Sequence, residues 1–282
     1  MRDPRTILIT GCSSGIGLCT ARGLRERGHR VFATARRPDD IARLASEGFE
    51  SLRLDYDDSN SIQACVSEVL DRTGGELHAL FNNGGYGQPG AVEDLSREVL
   101  RAQFETNLFG WHELTRAVIP AMRAAGRGRI IQNSSVLGFA AMAFRGAYNA
   151  SKFALEGLCD TLRLELRGSG IEVVLIEPGP VESRFRANSY IKFRETIDRD
   201  HSVFATTYAA MEARLTREGP TTTFTLPPEA VLKKVIHALE SRRPRARYYV
   251  TLPTHAFGLL KRVLGTRSMD ALLARAGGGG RR

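Results

Sequence analysis

The sequence contains a tyrosine and a lysine four residues apart, Tyr148 and Lys152. On a helix these two side chains lie on one face, about one turn from each other. A phenol with its ordinary pKa of about 10 transfers protons poorly at neutral pH, and a neighbouring lysine cation would lower that pKa by stabilising the phenolate. Ser135 follows a strand-like run and would hold a substrate oxygen from the other side. We therefore expect the hydroxyl groups of Tyr148 and Ser135 to polarise a carbonyl.

A glycine-rich turn joins the first apolar run, residues 6–10, to a helical pattern at 16–27. Glycines permit positive φ angles and let the backbone N–H groups at a helix N-terminus approach a pyrophosphate. A plain tight turn is the alternative, but a preceding strand and a following helix are the context that a dinucleotide site requires. The residues expected to contact the cofactor in this turn are Gly11, Ser13, Ser14, Gly15, Ile16 and Gly17.

The end of the second strand-like run, residues 29–35, indicates which dinucleotide binds. A carboxylate there would accept hydrogen bonds from the adenosine ribose and repel a 2′-phosphate. The sequence instead has Arg36 and Arg37. Two guanidinium groups supply permanent positive charge that suits a phosphate dianion. The pair predicts NADP(H) rather than NAD(H); the alternative is that one of the two is only a solvated surface residue.

Short apolar runs alternate with helical segments along the chain. The runs are rich in β-branched residues and continuous rather than alternating, as in parallel strands buried on both faces. They cover residues 6–10, 29–35, 50–54, 77–81, 129–133, 171–176 and 247–251. Helical patterns lie at 16–27, 59–72, 96–125, 147–168 and 228–241. This order predicts an α/β fold: a single Rossmann-like, doubly wound parallel sheet with helices on both faces.

Residues 1–252 are expected to form one catalytic domain. Within it, residues 182–228 break the regular alternation and scatter aromatic residues among charges, which is typical of an insertion that covers a site. Residues 253–282 form a basic, apolar C-terminal tail. Its last part, 277–282, is expected to be disordered.

The composition excludes several classes of protein. The 282 residues are 42% hydrophobic and 25% charged, as in ordinary folded proteins. The four cysteines lack disulfide or zinc spacing, which fits a reducing cytoplasm, and the six histidines lack ligand spacing, so we expect no metal. The sequence shows no signal-peptide core and no long apolar stretch, so we expect a protein that is neither exported nor membrane-spanning.

The basic charge is concentrated near the C-terminus. The formal net charge is +9, and residues 233–282 hold 12 of the 40 basic residues but only 2 of the 31 acidic ones. These charges alternate with leucines and accompany no recognition motif, so we do not expect nucleic-acid binding. Such a segment more often packs over the pocket or lies in a subunit interface. Peripheral contact with an anionic membrane, where apolar burial and basic charge add, is the alternative.

Further motifs follow one another in a fixed order around the glycine turn and the Tyr148–Lys152 pair. They are Asn82-Asn83-Gly84-Gly85, Asn107, Ser134-Ser135 and Pro178-Gly179. The ordered set resembles the short-chain dehydrogenase/reductase family over residues 5–182. The resemblance implies a Rossmann-like sheet of about seven strands, with the site at their carboxyl ends. It also implies hydride transfer between a nicotinamide cofactor and a carbonyl or alcohol.

The resemblance implies a role for each matching residue. Tyr148 would be the acid/base, Lys152 its activator and a ligand of the cofactor ribose, and Ser135 the hydroxyl that orients the substrate. Asn107 would kink its helix and position a water that links Lys152 to solvent. The other cofactor-contacting positions would be Asp55 at the adenine, Asn82 and Gly84 beside the adenosine ribose, and Pro178 and Gly179 at the nicotinamide turn, followed by Val181. Gly84 stands where the family usually has alanine, which would loosen that loop.

Residues 148–158 and 175–181 resemble the branch of the family that holds 17β-hydroxysteroid and retinol dehydrogenases, and residues 224–231 and 247–252 resemble bacterial NADP-dependent aldehyde reductases of that branch. The apolar residues 136–144 predict an apolar pocket, or else core beneath the insertion. We therefore expect an NADP(H)-dependent reductase of aldehydes or hydrophobic ketones. The alternatives are an alcohol dehydrogenase of the steroid or retinol type and a non-catalytic NADP(H)-sensing module. Relatives are commonly homo-oligomers, which implies a dimer or tetramer.

Overall fold

The computed structural model describes residues 4–220 and 222–276. Within this part of the chain, seven parallel strands form one sheet in the order β3-β2-β1-β4-β5-β6-β7. The strands are β1 Thr6–Ile9, β2 Arg30–Ala35, β3 Glu50–Arg53, β4 Ala79–Asn82, β5 Gly128–Asn133, β6 Ile171–Glu177 and β7 Arg247–Tyr249. The predicted doubly wound sheet is confirmed. The strand order reverses between β1 and β4, the place where such sheets bind ligands.

Helices cover both faces of the sheet. They are α1 Gly15–Glu26, α2 Pro38–Ser46, α3 Ser59–Thr73, α4 Arg97–Phe104, α5 Gly110–Ala124, α6 Gly146–Glu165, α7 Phe185–Thr196, α8 Ala205–Thr216, α9 Glu229–Glu240, α10 Leu252–Val263 and α11 Thr266–Ala276. Neighbouring strand residues point to opposite faces. Leu8 and Leu80 pack in one core with α3, α5 and α6, whereas Ile9 and Phe81 pack in another with α1, α2 and α9. Burial on both faces explains the continuous apolar runs.

Residues 97–124 are helical throughout, as the sequence predicts for 96–125, but the helix is not regular. The segment consists of α4, a π-helical turn at Glu105–Phe109 and α5. A π turn widens the helix locally. Here it contains Asn107, whose side chain bonds the backbone of Tyr86 outside the helix. Tyr86 lies 21 residues before Asn107 in the sequence. The hydrophobic spacing within the helix therefore does not show the π turn.

Helix α2 was not among the predicted helices. It begins with Pro38 in its first turn, followed by Asp39 and Asp40. Proline at the first helical position and acidic residues near a helix N-terminus are ordinary start signals. The start signals of α2 are therefore present in the sequence.

The insertion at 182–228 folds into α7 and α8. Tyr208 of α8 is fully buried, and its hydroxyl lies against the Asp94 carboxylate and accepts a hydrogen bond from Ala91 N at 2.8 Å. Phe144, with φ of 60°, packs its ring edge-on against Phe204 and Tyr208. These contacts fix the insertion onto the loop that leads into α6.

The described part of the C-terminal tail forms α10 and α11. Phe257, Met269 and Leu273 pack against the segment after Ser135, around Val136 and Leu137. The sequence left three arrangements of the tail open: over the pocket, in a subunit interface or on a membrane. These tail residues pack beside the segment after Ser135, which borders the site. The predicted disorder of 277–282 concerns residues outside the described part. No helix among the described residues combines the length and apolarity needed to cross a membrane.

Candidate active site

The glycine turn between β1 and α1 has the backbone geometry that its sequence predicts. Gly11 and Gly15 have φ of +68° and +55°, a region that favours glycine. A Cβ at Gly17 would lie 2.3 Å from Gly11 O, so only glycine allows this close approach. The N-cap residue of α1, Ser14, makes no capping bond with its side chain. The first N–H groups of the helix therefore remain available to a phosphate.

The loop after β4 lies directly against this turn. Asn82 is fully buried, and its Nδ2 donates to Thr115 Oγ1 at 3.1 Å, so its side chain holds the loop and does not face the cleft. The Tyr56 hydroxyl lies 2.7 Å from both Asn82 Oδ1 and Thr10 Oγ1. Thr10 Oγ1 in turn accepts a hydrogen bond from Gly84 N at 3.0 Å.

Tyr56 is a residue that the sequence analysis missed, and it explains the glycine at position 84. A Cβ on Gly84 would lie 3.2 Å from the ring of Tyr56, which is tighter than ordinary contact. Glycine at position 84 therefore leaves room for the ring of Tyr56, and the hydrogen bond from Gly84 N to Thr10 Oγ1 holds the loop in place. The expected loosening of the loop at Gly84 is offset by this packing. The sequence feature that could have indicated Tyr56 is its position directly after Asp55, a predicted cofactor contact.

The two arginines after β2 differ in their surroundings. Both are exposed, and Arg37 lies 3.9 Å from Asp39. Arg36 forms no hydrogen bond or ion pair with the described residues, so its guanidinium is free to meet an anion. Asp55 is half-buried at the end of β3, where its carboxylate accepts a hydrogen bond from Asp57 N at 3.3 Å.

The structure brings Ser135, Tyr148 and Lys152 together at the carboxyl end of β5. Ser135 follows β5, and its Oγ accepts a hydrogen bond from Leu137 N at 3.1 Å, while its side chain lies close enough to Tyr148 to lower the pKa of that phenol. Lys152 lies one turn after Tyr148 on α6 and donates to Asn133 O at 2.9 Å. Its Nζ lies 4.0 Å from the ring centre of Trp111 and 5.8 Å from that of Tyr148.

The pKa values differ from the expectation that Lys152 would lower the pKa of the phenol. Burial raises the pKa of Tyr148 to about 12, and the bond from Ser135 and the charge of Arg145 oppose this only in part. Burial also lowers the pKa of Lys152 to about 7, against the raising effect of Glu156. Desolvation disfavours the charged form of each group, and it is the largest cause of both shifts. The phenol is therefore held protonated, the form that a proton donor needs.

Asn107 is fully buried in the π turn near these groups. Its Nδ2 donates to Tyr86 O at 2.8 Å, and its Oδ1 accepts from Tyr86 N at 3.2 Å. Both ends of the amide are thus bonded to the backbone after β4. In this structure Asn107 fixes that loop, and no direct bond joins it to Lys152.

A turn after β6 closes the other side of the cleft. Pro178 O accepts a hydrogen bond from Val136 N at 2.8 Å, which ties this turn to the segment after Ser135. A Cβ on Gly179 would lie 2.2 Å from Thr251 Oγ1, so glycine is required there. Val181 forms an isolated bridge with Leu226 at the far end of the insertion.

A buried ionic cluster behind this turn was not foreseen. Arg247 of β7 contacts the carboxylate of Glu156 and donates to Glu177 Oε1 at 2.6 Å and to Asp160 Oδ2 at 2.7 Å. Burial and the charge of Glu156 raise the pKa of Glu177 to about 8, although Arg247 opposes them. The cluster joins α6, β6 and β7 beneath the Pro178 turn. The sequence around Arg247 in β7 contains no motif that predicts this ionic cluster.

The described residues fit a nicotinamide dinucleotide. The glycine turn presents free helix N–H groups for a pyrophosphate, an unpaired arginine follows β2, and the protonated phenol lies across the cleft at the carboxyl end of β5. The apolar segment after Ser135 and Phe185 of the insertion border the phenol, with the rings of Tyr148 and Phe185 5.3 Å apart. This arrangement can bind a dinucleotide and donate a proton to an apolar molecule beside it.

Comparisons with known proteins agree with this site. The family model "short chain dehydrogenase" matches residues 5–192. The uncharacterized oxidoreductase YbbO of Escherichia coli (strain K12) is 44% identical over 269 residues, covering 95% of this chain and 94% of that protein. Human 17-beta-hydroxysteroid dehydrogenase type 1 is 34% identical, covering 87% and 77%. The NADPH-dependent 3-dehydrocapnine reductase of Ornithobacterium rhinotracheale is 30% identical, covering 95% of each chain.

A solved structure is also similar over almost the whole chain. The short chain dehydrogenase/reductase of Burkholderia phymatum, in complex with NAD, has a TM-score of 0.77 at 25% identity and covers 96% of this chain and 95% of its own. The chain therefore belongs to the short-chain dehydrogenase/reductase family. It is an oxidoreductase with a nicotinamide cofactor and a small-molecule substrate. The predicted resemblance to the 17β-hydroxysteroid dehydrogenase branch is confirmed.

The lowered pKa of Lys152 predicts a pH-dependent stability. Its pKa is about 7 when folded and 10.5 as the ordinary value. Between these values the unfolded chain binds the proton and the folded chain does not, so the free energy of unfolding should rise with pH. The Lys152→Met variant should lack this rise. Urea unfolding of both proteins across this pH range measures the difference.

The exposed Lys233→Met variant serves as the control, because that side chain is solvated in both states. Its unfolding free energy should run parallel to that of the wild type. Parallel curves for wild type and Lys152→Met would show that burial does not perturb Lys152.

Proposed function

We propose that the protein is an NADP(H)-dependent reductase that converts an aldehyde or a hydrophobic ketone to the alcohol, with Tyr148 as the proton donor. The observation that carries the proposal is the protonated phenol of Tyr148, which lies beside the Ser135 side chain and one helical turn from the buried Lys152. When bound, the reduced nicotinamide supplies the hydride. The chain's own residues hold the carbonyl and supply the proton.

Each side chain has a separate task in this reaction. Ser135 and Tyr148 donate hydrogen bonds to the carbonyl oxygen, which draws negative charge onto that oxygen as hydride arrives. Tyr148 then transfers its proton to the oxygen. The ammonium of Lys152 stabilises the phenolate that is left, because the two groups lie on one face of α6.

The NADP(H) preference rests on Arg36. Its guanidinium is exposed and without a bonding partner among the described residues, at the end of the strand where the adenosine ribose lies in such folds. A planar, permanent cation suits a 2′-phosphate. The name of the Ornithobacterium relative, an NADPH-dependent reductase, supports the cofactor and the reductive direction. The NAD complex of the Burkholderia structure makes the preference a matter for experiment.

The apolar surroundings of Tyr148 support a hydrophobic substrate. Phe139 and Met142 pack in the same cluster as Tyr148, and Phe185 of the insertion lies against its ring. Apolar walls with a few convergent polar groups are typical of small-molecule sites. The similarity to a hydroxysteroid dehydrogenase agrees with this class of substrate.

The Tyr148→Phe variant tests the proton donor. Loss of the hydroxyl removes the general acid, so kcat for carbonyl reduction should fall by about 10²- to 10⁴-fold. The affinity for NADPH, measured by fluorescence titration, should stay near that of the wild type. Tyr190→Phe, on α7, is the control and should keep full activity. Retained turnover by Tyr148→Phe on a panel of aliphatic, aromatic and steroid carbonyls would refute the proposal.

The Arg36→Ala variant tests the cofactor preference. Removing a charge-assisted contact to the 2′-phosphate should weaken NADPH binding by about 10- to 100-fold and leave NADH binding unchanged. Arg37→Ala makes the same change beside it, but Arg37 already lies 3.9 Å from Asp39. Its effect on NADPH should therefore be smaller. Equal catalytic efficiencies with NADH and NADPH in the wild type would contradict the assignment.

We also propose that the protein is a cytoplasmic homo-oligomer, a dimer or tetramer. None of the four cysteines, all within the described residues, forms a disulfide, as expected in a reducing compartment. The outer face of α6 leaves Phe153 and Leu164 exposed, with Gly157 between them open to solvent. Apolar and small residues on one helix face suit close packing with a second copy.

The last proposal concerns the tail, residues 253–282, beside a catalytic domain of 1–252. Leu252, Leu259 and Val263 are 67%, 63% and 68% exposed and fall on one face of α10, next to Arg262. Exposed apolar residues beside basic charges support contact with an anionic membrane surface.

Vesicle flotation tests this contact. The wild type should float with anionic vesicles and stay unbound with neutral ones, because both burial and charge contribute. The double variant Leu259→Ser/Val263→Ser should lose flotation, whereas Val203→Ser, which changes an equally exposed residue of the insertion, should retain it. Equal recovery of wild type and double variant in the lipid fraction would remove the membrane role.

A further inference from the structure

A cationic side chain lies beside the phenol that the proposed reaction uses. Arg145 is the N-cap residue of α6, three positions before Tyr148. The backbone there is fixed, because Gly90 N donates to Phe144 O at 3.0 Å and Arg145 O accepts from Asn149 N at 2.8 Å. The guanidinium Nη1 donates to Met142 Sδ at 2.9 Å. Arg145 is thereby held against Met142, close enough to Tyr148 for its charge to act on the phenol.

Arg145 has no acidic partner. Over residues 4–220 and 222–276 no carboxylate forms an ion pair with it, and the one hydrogen bond of its guanidinium goes to a thioether, a weak acceptor. A half-buried guanidinium without an anion is unfavourable, because charges that leave water need a partner. Burial and the charge of Arg214 lower the pKa of Arg145 to about 10, so it stays charged at neutral pH.

The insertion adds a second cation. Arg214 of α8 acts on Arg145 through its charge and likewise forms no ion pair with a described residue. Its neighbour Arg186 donates to Arg217 O and Gly219 O. By contrast, other cations of the insertion are paired: Lys192 with Glu195, and Arg199 with Glu212. Arg145 and Arg214 are thus two cations close enough to act on each other, and neither has a carboxylate partner among the described residues.

We propose that Arg145, assisted by Arg214, binds an anionic group of the substrate, a carboxylate, sulfonate or phosphate, placed near the reacting carbonyl. This rests on the proposed function and narrows it to amphiphilic carbonyl compounds. The apolar chain of such a compound packs against Met142, Phe139 and the α10–α11 residues of the same cluster. The guanidinium presents a fork of N–H donors that matches these anions.

The site is separate from the phosphate sites of the cofactor. The glycine turn and Arg36 follow β1 and β2, whereas Arg145 precedes α6 and contacts the segment that follows β5. An anion on Arg145 therefore orients the substrate beside Tyr148 and does not compete with the dinucleotide. It also makes the enzyme discriminate between compounds of equal chain length, because a neutral analogue leaves the cation unpaired.

The first experiment measures binding. Octane-1-sulfonate and octan-1-ol have equal chains and differ in charge, and calorimetry on the full-length chain gives their dissociation constants with and without NADP⁺. We expect the wild type to bind the sulfonate more tightly. Arg145→Gln should weaken sulfonate binding by about 10- to 100-fold and leave octanol binding unchanged. Arg145→Lys should keep part of the affinity, because a point charge remains.

Controls separate this effect from general charge and from misfolding. Arg217→Gln removes a charge from the same segment at an exposed position and should leave both affinities unchanged. Arg214→Gln should weaken sulfonate binding by less than Arg145→Gln does. Unfolding midpoints by circular dichroism verify that each variant is folded. Equal affinity of the folded wild type for sulfonate and alcohol, or an unchanged preference in Arg145→Gln, would overturn the inference.

A kinetic arm distinguishes this inference from the proposed function. With NADPH, 4-oxodecanoate should be reduced with higher kcat/KM than its methyl ester, and Arg145→Gln should remove that preference through KM. Reduction of both compounds at equal efficiency would overturn the anion site and leave the reductase proposal intact. If neither compound is reduced, but the sulfonate still binds in an Arg145-dependent way, the anion site stands and the reductase proposal fails.

Discussion

The burial of the Lys152 ammonium group is the constraint on which the rest of the site depends. Its Nζ is placed 2.9 Å from Asn133 O and 4.0 Å from the centre of the Trp111 ring. A buried cation is tolerated only with such partners, so α6 is held against both the end of β5 and helix α5. Tyr148 lies one turn earlier on α6, and Ser135 follows β5. Fixing one ammonium group therefore fixes the relative position of the two hydroxyls that face the substrate.

Asn133 connects this catalytic side to the cofactor side. Its carbonyl accepts from Lys152, and its Nδ2 donates to Asn83 Oδ1 at 2.9 Å. Asn83 in turn bonds Thr10 O next to the glycine turn. A short chain of hydrogen bonds thus spans the carboxyl ends of β1, β4 and β5, the position where the strand order of the sheet reverses. The phosphate loop and the proton donor are parts of one rigid frame, as preorganised catalysis requires.

The substrate side is built from chain segments that lie outside this frame. The insertion contributes Phe185 and Arg214, and the tail contributes Phe257 and Met269 near the segment after Ser135. The frame therefore holds the groups that do the chemistry, whereas the insertion and the tail determine which substrates bind. In this chain they combine apolar walls with an unpaired Arg145, a combination that suits an amphiphilic molecule better than a purely apolar one.

The sequence by itself determined the seven strands to within a few residues, the glycine turn and the helical spacing of Tyr148 and Lys152. These features depend on short-range periodicity and on backbone freedom, which neighbouring residues encode. The tertiary structure alone decided the π turn at Asn107, the packing of Tyr56 against Gly84, and the pKa values. Desolvation depends on which distant segments bury a group, so local spacing predicted a phenol made more acidic by Lys152, whereas burial made it less acidic.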